Sequence, residues 1–205
     1  MSLSFKAIGL QAFVDRVKGW PAGAEKAVIL AINTSMRRAR PEASRRIRAQ
    51  VAFTAGYLNQ PKRLFIRSTA ARGHLFAELS ARRLPTMLAR FGKQATRKGK
   101  RAGVRVKVKA GGGSKLIRSA FFINLKNGNV GVAVRASVAA RMNLKRAGLT
   151  AAGSPINGQK EKFVLLFGPS VDQVFRTVKD DMAPGVQEFF SNEFVRQFER
   201  LSKKR

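Results

Sequence analysis

The chain predicts an α+β fold: a small, mostly antiparallel β-sheet packed against long N-terminal and C-terminal helices, with extended basic loops. Three observations lead there. Apolar residues recur at three- and four-residue steps near both ends, the helical period. The middle alternates apolar and charged residues and holds an Asn-Gly turn, the signature of a hairpin. Between these segments lie stretches rich in Lys, Arg, Gly and Ala with few large apolar groups. A single domain over 1–205 is expected, with N-terminal helices in 1–55, a sheet in 62–135, an arm in 136–161, and a corner followed by C-terminal helices in 163–205.

Residues 5–19 read as a short helix ending near Gly19-Trp20-Pro21. From Ala22 to about Ala55 a longer helix follows, with Val28, Ile32, Met36, Ala39, Ala43, Ile47 and Val51 on one stripe. Pro41 interrupts it, and proline inside a helix removes a hydrogen bond, so a kink or two helices are expected. Opposite the stripe lies "RRARPEASRRIR", where Arg37, Arg38, Arg45 and Arg48 fall within roughly 100° of one another. Such a row is either a solvated helix face or one that meets phosphates.

Strands follow in "RLFIR" (63–67), "HLFAELSAR" (74–82) and "VRVKVK" (104–109), where Val104, Val106 and Val108 oppose Arg105, Lys107 and Lys109. In "AFFINLKNGNVGVAVR" (120–135), Asn127-Gly128 suits a two-residue type I′ turn. That register sets Leu125 opposite Val130, Ile123 opposite Val132 and Phe121 opposite Val134. The segment "GKQATRKGKRAG" (92–103) reads as a basic loop, mobile unless bound, and "GGGS" (111–114) as a connector. Residues 136–161 read as a further arm, with a short helix near Ala139 to Lys145. At the C-terminus Val186, Phe190, Phe194, Phe198 and Leu201 form an apolar row with Phe189 beside it, available for core or subunit packing. Glu188, Glu193, Arg196, Glu199 and Arg200 fill much of the remainder of that helix.

Charge is the anomaly. The chain carries 41 Lys+Arg against 11 Asp+Glu, a net charge of +30. Residues 1–160 hold 33 basic and 4 acidic side chains, whereas 161–205 are nearly balanced. So much unbalanced charge on a folded surface calls for a polyanion or acidic partner.

Chemistry is scarce by comparison. There is no Cys, one His, and no spacing of carboxylates that suits a metal, so no cofactor is expected. The longest aliphatic run, Ala27 to Ile32, is far short of the roughly 20 residues of a membrane span, and no membrane association is expected. The N-terminus lacks a signal-peptide pattern, which predicts residence in a cytoplasm. In "FVLLFGPSVDQVF" (163–175), Ser170 lacks the second glycine of a nucleophile elbow and no motif brings the lone His74 to it. Ser170 with Gln173 instead makes a helix-capping box, and Asp172 suits the helix dipole. His74 reads as a surface or interface side chain; Glu78 would lie about 13 Å along the strand. Asp180-Asp181 reads as a cap for the terminal helix. "KQATRKGK" lacks P-loop spacing, so Lys93 and Lys98 are charge alone. No catalytic constellation emerges and an enzyme is not expected.

In this order, "AINTSMRRARPEASRRIRAQ", "LARFGKQ", "GVRVKVK", "FFINLKNGNVGVAVR" and "LFGPSVDQVF" resemble the minor tail protein Z family of tailed bacteriophages. The resemblance implies a structural virion protein of the tail or neck, assembled in the bacterial host cytoplasm. It implies tail completion at the head-proximal end, in a homo-oligomeric ring, a hexamer matching tail symmetry, through which DNA passes. Partners would be tail terminator, tail tube or neck proteins. By charge clustering, contacts to DNA phosphates or to an acidic partner would fall to Arg37, Arg38, Arg45 and Arg48, with Lys98, Lys100, Arg101, Arg105, Lys107 and Lys109. The alternative is a stand-alone, sequence-nonspecific nucleic-acid-binding protein.

Overall fold

In the computed structural model, which describes residues 3–5, 23–97, 100–125, 127–139, 141–142, 150–154 and 163–203, helices stand at both ends of an antiparallel β region. The α+β expectation holds. The strands divide among three sheets rather than one, and the chain forms two compact units.

The first unit takes residues 1–47, 55–82 and 175–205. Its spine is α1 (Ala24–Gln50), whose last turn belongs to the second unit. Val28, Ile32, Met36, Ala39, Ala43 and Ile47 are all buried, as a helical apolar stripe requires. Pro41 lies inside one continuous helix, so the expected break into two does not occur. Pro41 is exposed, where water can reach a freed carbonyl, and burial of the whole stripe, with Val28, Ile32, Met36 and Ile47 worth about 1.5–3 kcal/mol each, offsets the roughly 3 kcal/mol an internal proline costs. A short helix α2 (Ala55–Asn59) and a sheet ordered β1-β3-β2 complete this unit's middle, with β1 Leu3–Phe5, β2 Leu64–Ser68 and β3 Ala77–Ala81. Phe5 therefore ends a strand, and the rest of the helix expected over 5–19 lies outside the described residues. Asn33 fastens α1 to the chain after β2: its amide donates to Ala70 O at 2.9 Å while its carbonyl oxygen accepts from Ala70 N at 2.8 Å. Arg40 Nε donates to Leu64 O at 2.9 Å.

The second unit takes residues 48–54 and 83–174. It contains β4 (Thr86–Met87), a 3-10 turn (Leu88–Phe91), β5 (Gly92–Arg97), β6 (Lys100–Val106), β7 (Lys115–Ile117), β8 (Phe121–Asn124), β9 (Val130–Arg135), the short α3 (Ala136–Ala139), β10 (Thr150–Ser154) and β11 (Phe163–Gly168). One sheet runs β10-β11-β9-β8 with β4 also on β11, and another runs β5-β6-β7. Val104, Val132, Val134, Leu88 and Leu166 have no more than 1% of their surface exposed and form this unit's core. Phe53 and Phe91 meet there, ring centroids 5.3 Å apart.

Three expectations are corrected in this unit. The β8–β9 hairpin exists, but its register is one residue away: Phe121 faces Ala133, Phe122 faces Val132 and Asn124 faces Val130. The loop explains the slip. Gly128 N donates to Leu125 O and Leu125 N to Asn129 O, which closes the hairpin on the 125–129 pair, and Gly128 has φ +75°. Three loop residues ending in a left-handed glycine make a hairpin with a glycine bulge, where a type I′ turn would have two loop residues. The slip places Val132 with Phe122 on one face and Ala133 with Phe121 on the other. Both faces of β9 are covered, since Gly131 to Val134 are all buried.

The second correction concerns 92–103, which forms most of the β5–β6 hairpin instead of a loop. The backbone pairing to β6, whose Val104 and Val106 are buried, holds a strand that has few apolar side chains of its own. The third concerns the 136–161 arm. Its described parts are α3 over Ala136–Ala139 and β10, paired antiparallel to β11; most of the expected 139–145 helix lies outside the described residues.

The last helix, α4 (Val171–Ser202), is one helix, not several, and contains Pro184. Asp180 and Asp181 therefore lie within it and cap nothing. Its start belongs to the second unit, and the remainder from Phe175 to the first. At the start, Ser170 Oγ accepts from Gln173 N at 3.0 Å, satisfying one of the four free N–H groups of the first turn. Gly168 leaves room for the Phe91 ring, whose Cε2 would lie 2.9 Å from an added Cβ. The Gly-Pro-Ser corner is thus accounted for by packing, strand ending and capping.

Candidate polyanion interface

Basic side chains dominate both units, yet they are not equally available. The first unit places Arg37, Arg38 and Arg45 on α1, all exposed. Arg38 stacks its guanidinium over the Phe189 ring at 4.2 Å, and Arg45 Nη2 pairs with Glu42 at 2.8 Å. Glu42 also takes Arg46 Nε at 2.8 Å, and that hydrogen bond, with nearby Arg45 and Arg38, holds its carboxyl below the usual value. Two of the three predicted arginines in this unit thus have intramolecular partners. Arg37 has none among the described residues.

The same unit positions the phenylalanines. Phe189, Phe190, Phe194 and Phe198 are half-buried, with Phe190, Phe194 and Phe198 stacked in series at 6.5 and 6.0 Å. The buried side chains of this stretch are Glu193 and Gln197, so Glu193 is not part of a solvated charged face. Burial opposes its ionisation. Arg196 outweighs that, donating at 2.8 and 2.7 Å, and Gln197 Nε2 adds a bond at 2.6 Å, so the carboxyl is held below its ordinary range. His74 forms an isolated bridge with Ala71 and lies exposed against Phe76, while Glu78 pairs with Arg67 and Ser80.

The second unit carries 20 basic side chains and two acidic ones. Of the two, Asp172 is buried at the start of α4 and Glu161 lies outside the described residues. Arg48, Arg105, Lys107 and Lys109 all belong here and all are exposed. Backbone bonds gather them. Ala52 N donates to Val108 O at 2.8 Å, Ala110 N to Gln50 O at 3.1 Å, and Val51 bridges Lys109, so the chain leaving α1 is tied to the end of β6. Arg48 sits in the last turn of α1, where a cation suits the helix dipole. Lys107 N bonds Phe91 O at 2.9 Å. Lys100 and Arg101 lie on β6, and Lys98 lies outside the described residues.

Register adds a residue that the sequence pattern had marked as charge alone. Lys93 stands directly opposite Arg105, and Arg105 opposite Leu116, while Val104 and Val106 turn to the core. The signal in the sequence was the alternation of β6; what could not be seen was that 92–97 pairs with it. Among the described residues no group of His, Cys, Asp or Glu gathers to hold a metal, and no helix is long and apolar enough to cross a membrane. What the arrangement offers chemically is exposed positive charge on a hydrogen-bonded sheet.

A protein-family model described as prophage minor tail protein Z (GPZ) matches residues 8–201. No curated protein and no solved structure gives a match. With the family match running nearly end to end over an α+β body of helices and antiparallel sheets, the chain belongs to the prophage minor tail protein Z family and is a structural protein of the phage tail.

Proposed function

We propose that the protein is a tail-completion subunit at the head-proximal end of the tail, where it forms a closed ring that DNA traverses and helps join head to tail. Six copies match the symmetry of a tail, and a closed ring follows when each subunit presents two different complementary surfaces to its neighbours. Its partners in this reading are tail terminator, tail tube or neck proteins and the phosphate backbone of the genome. It needs no cofactor, carries no reaction, and assembles in the host cytoplasm.

The observation that carries the reading is the second unit's charge, 20 basic against two acidic side chains, in a chain of a tail-protein family. Such a surface repels its own copies unless a polyanion or acidic neighbour lies between them. Negative-stain microscopy of the purified protein, alone and mixed with tail tubes, tests it. Rings that cap one end of the tubes are expected. Monomers that coat DNA and ignore the tubes would overturn the reading in favour of a stand-alone nucleic-acid binder.

A further inference from the structure

We infer that the outward face of the β5–β6–β7 sheet is a docking surface for the phosphate backbone of double-stranded DNA, with Lys93, Arg105 and Lys107 as its centre. The inference deepens the proposed function by naming the surface and its ligand. Lys93 and Arg105 are direct cross-strand partners, the position at which like charges oppose sheet formation. Nothing described relieves them: the unit's one described carboxylate, Asp172, is buried at the start of α4. Among the described residues, Arg105 reaches Ser114 Oγ alone, at 3.3 Å. Lys107 and Arg118 are exposed at the ends of the adjoining strands. A row of cations held in register against its own repulsion is preorganised for an anion that supplies many charges.

Three features select duplex DNA. Arg105 and Lys107 are two residues apart on extended chain, about 6.7 Å, a separation comparable to that of neighbouring phosphates along one DNA strand. The surface is open and its cations solvated, so a single small anion would gain little there, whereas a polyanion gains from releasing its condensed counterions. An acidic protein partner fits less well. Protein interfaces place aromatic residues at their centres and exclude lysine, and here the one apolar member of the row is Leu116, 37% exposed.

The test uses the full chain and a labelled random-sequence DNA duplex, with affinity followed by anisotropy over a series of KCl concentrations. The triple variant Lys93→Gln/Arg105→Gln/Lys107→Gln should flatten the log–log salt slope by roughly 2.7, about 0.9 for each phosphate no longer neutralised. Arg67→Gln, whose guanidinium pairs with Glu78 in the first unit, should leave the slope unchanged. Lys93→Glu should weaken DNA binding while raising the melting temperature, because it converts a repelling pair into an attracting one. That combination separates a lost site from a lost fold. An unchanged slope in the triple variant overturns the inference, as does binding of polyglutamate that equals DNA binding and depends on the same three residues. All of this is read on purified protein and DNA, so failure of rings to cap tail tubes would leave it standing.

Discussion

Replacing Gly103 with alanine should unfasten β7 from β6 and so disorder the cationic face. Gly103 has φ +108°, a region that side chains with a Cβ avoid at a cost of order 1–3 kcal/mol. An added Cβ would also lie 2.4 Å from Ile117 O, 2.6 Å from Arg118 Cα and 2.7 Å from Arg118 O. These are backbone atoms of the neighbouring strand and the turn after it, and cannot swing aside as a side chain would. Relief requires moving the strand, and overpacking of this kind costs about 1–3 kcal/mol. Together the two effects place Gly103→Ala at about 2–6 kcal/mol. The pairs at stake are Val104 with Ile117, Arg105 with Leu116 and Val106 with Lys115. Urea unfolding gives the magnitude, and hydrogen exchange over 92–118 gives the location. Gly113→Ala is the control, since an added Cβ there meets nothing within 4 Å. If Gly103→Ala proves as harmless as Gly113→Ala, the approach of β6 to β7 described above is wrong.

Ser170→Ala should cost about 1 kcal/mol by urea unfolding, and Ser170→Asp should retain most of that stability, because either oxygen can accept from Gln173 N. A double-mutant cycle between Arg38→Ala and Phe189→Ala should return a coupling of about 0.5–1 kcal/mol, the size of an exposed cation–π contact; a coupling of zero would free Arg38 for other partners. The lowered carboxyl of Glu193 favours the folded state above the ordinary value of 4.5, and that contribution is lost as pH falls through the depressed folded value. Denaturation scans should therefore show stability declining below about pH 4.5, with a shallower decline in Glu193→Gln.

The α1 stripe was legible because burial on one side of a helix writes itself as a 3.6-residue period, and each of its six positions in the helix is buried, as is Val51 just beyond its end. The hairpin was legible for a similar reason, yet its register was not. Asn-Gly serves both a two-residue turn with two left-handed residues and a three-residue loop with one, and only the backbone tells them apart. The strand over 92–97 escaped because Lys93, Gln94 and Thr96 are exposed or half-exposed; its order comes from β6, along with Gln94 Nε2 reaching Gly103 O at 2.9 Å. The burial of Glu193 escaped because a helical wheel sends carboxylates outward. Its only trace is Arg196 and Gln197 three and four positions on, a spacing as common on solvated helices. The candidate site was half legible: charge density could be read from composition, but opposition of Lys93 to Arg105 depends on pairing that no local pattern announces.

That opposition also links stability to ligand in a way that salt can expose. Exposed cations farther apart than the Debye length, about 10 Å at 0.1 M salt, scarcely feel one another in solution. Lys93 and Arg105, facing each other across paired strands, remain in reach. Added salt should therefore stabilise the free protein by screening this pair, so the urea midpoint should rise as KCl goes from ~20 to ~200 mM. The same salt weakens attachment to DNA, because fewer counterions are released into a more concentrated solution. Saturating duplex DNA at low salt should replace the missing screening and raise the midpoint by mass action. In the triple variant without Lys93, Arg105 and Lys107 charges, both responses should shrink together. If the salt dependence of stability survives intact in that variant while the DNA effect vanishes, the repulsion lies elsewhere on the surface and the sheet face is not where charge is stored.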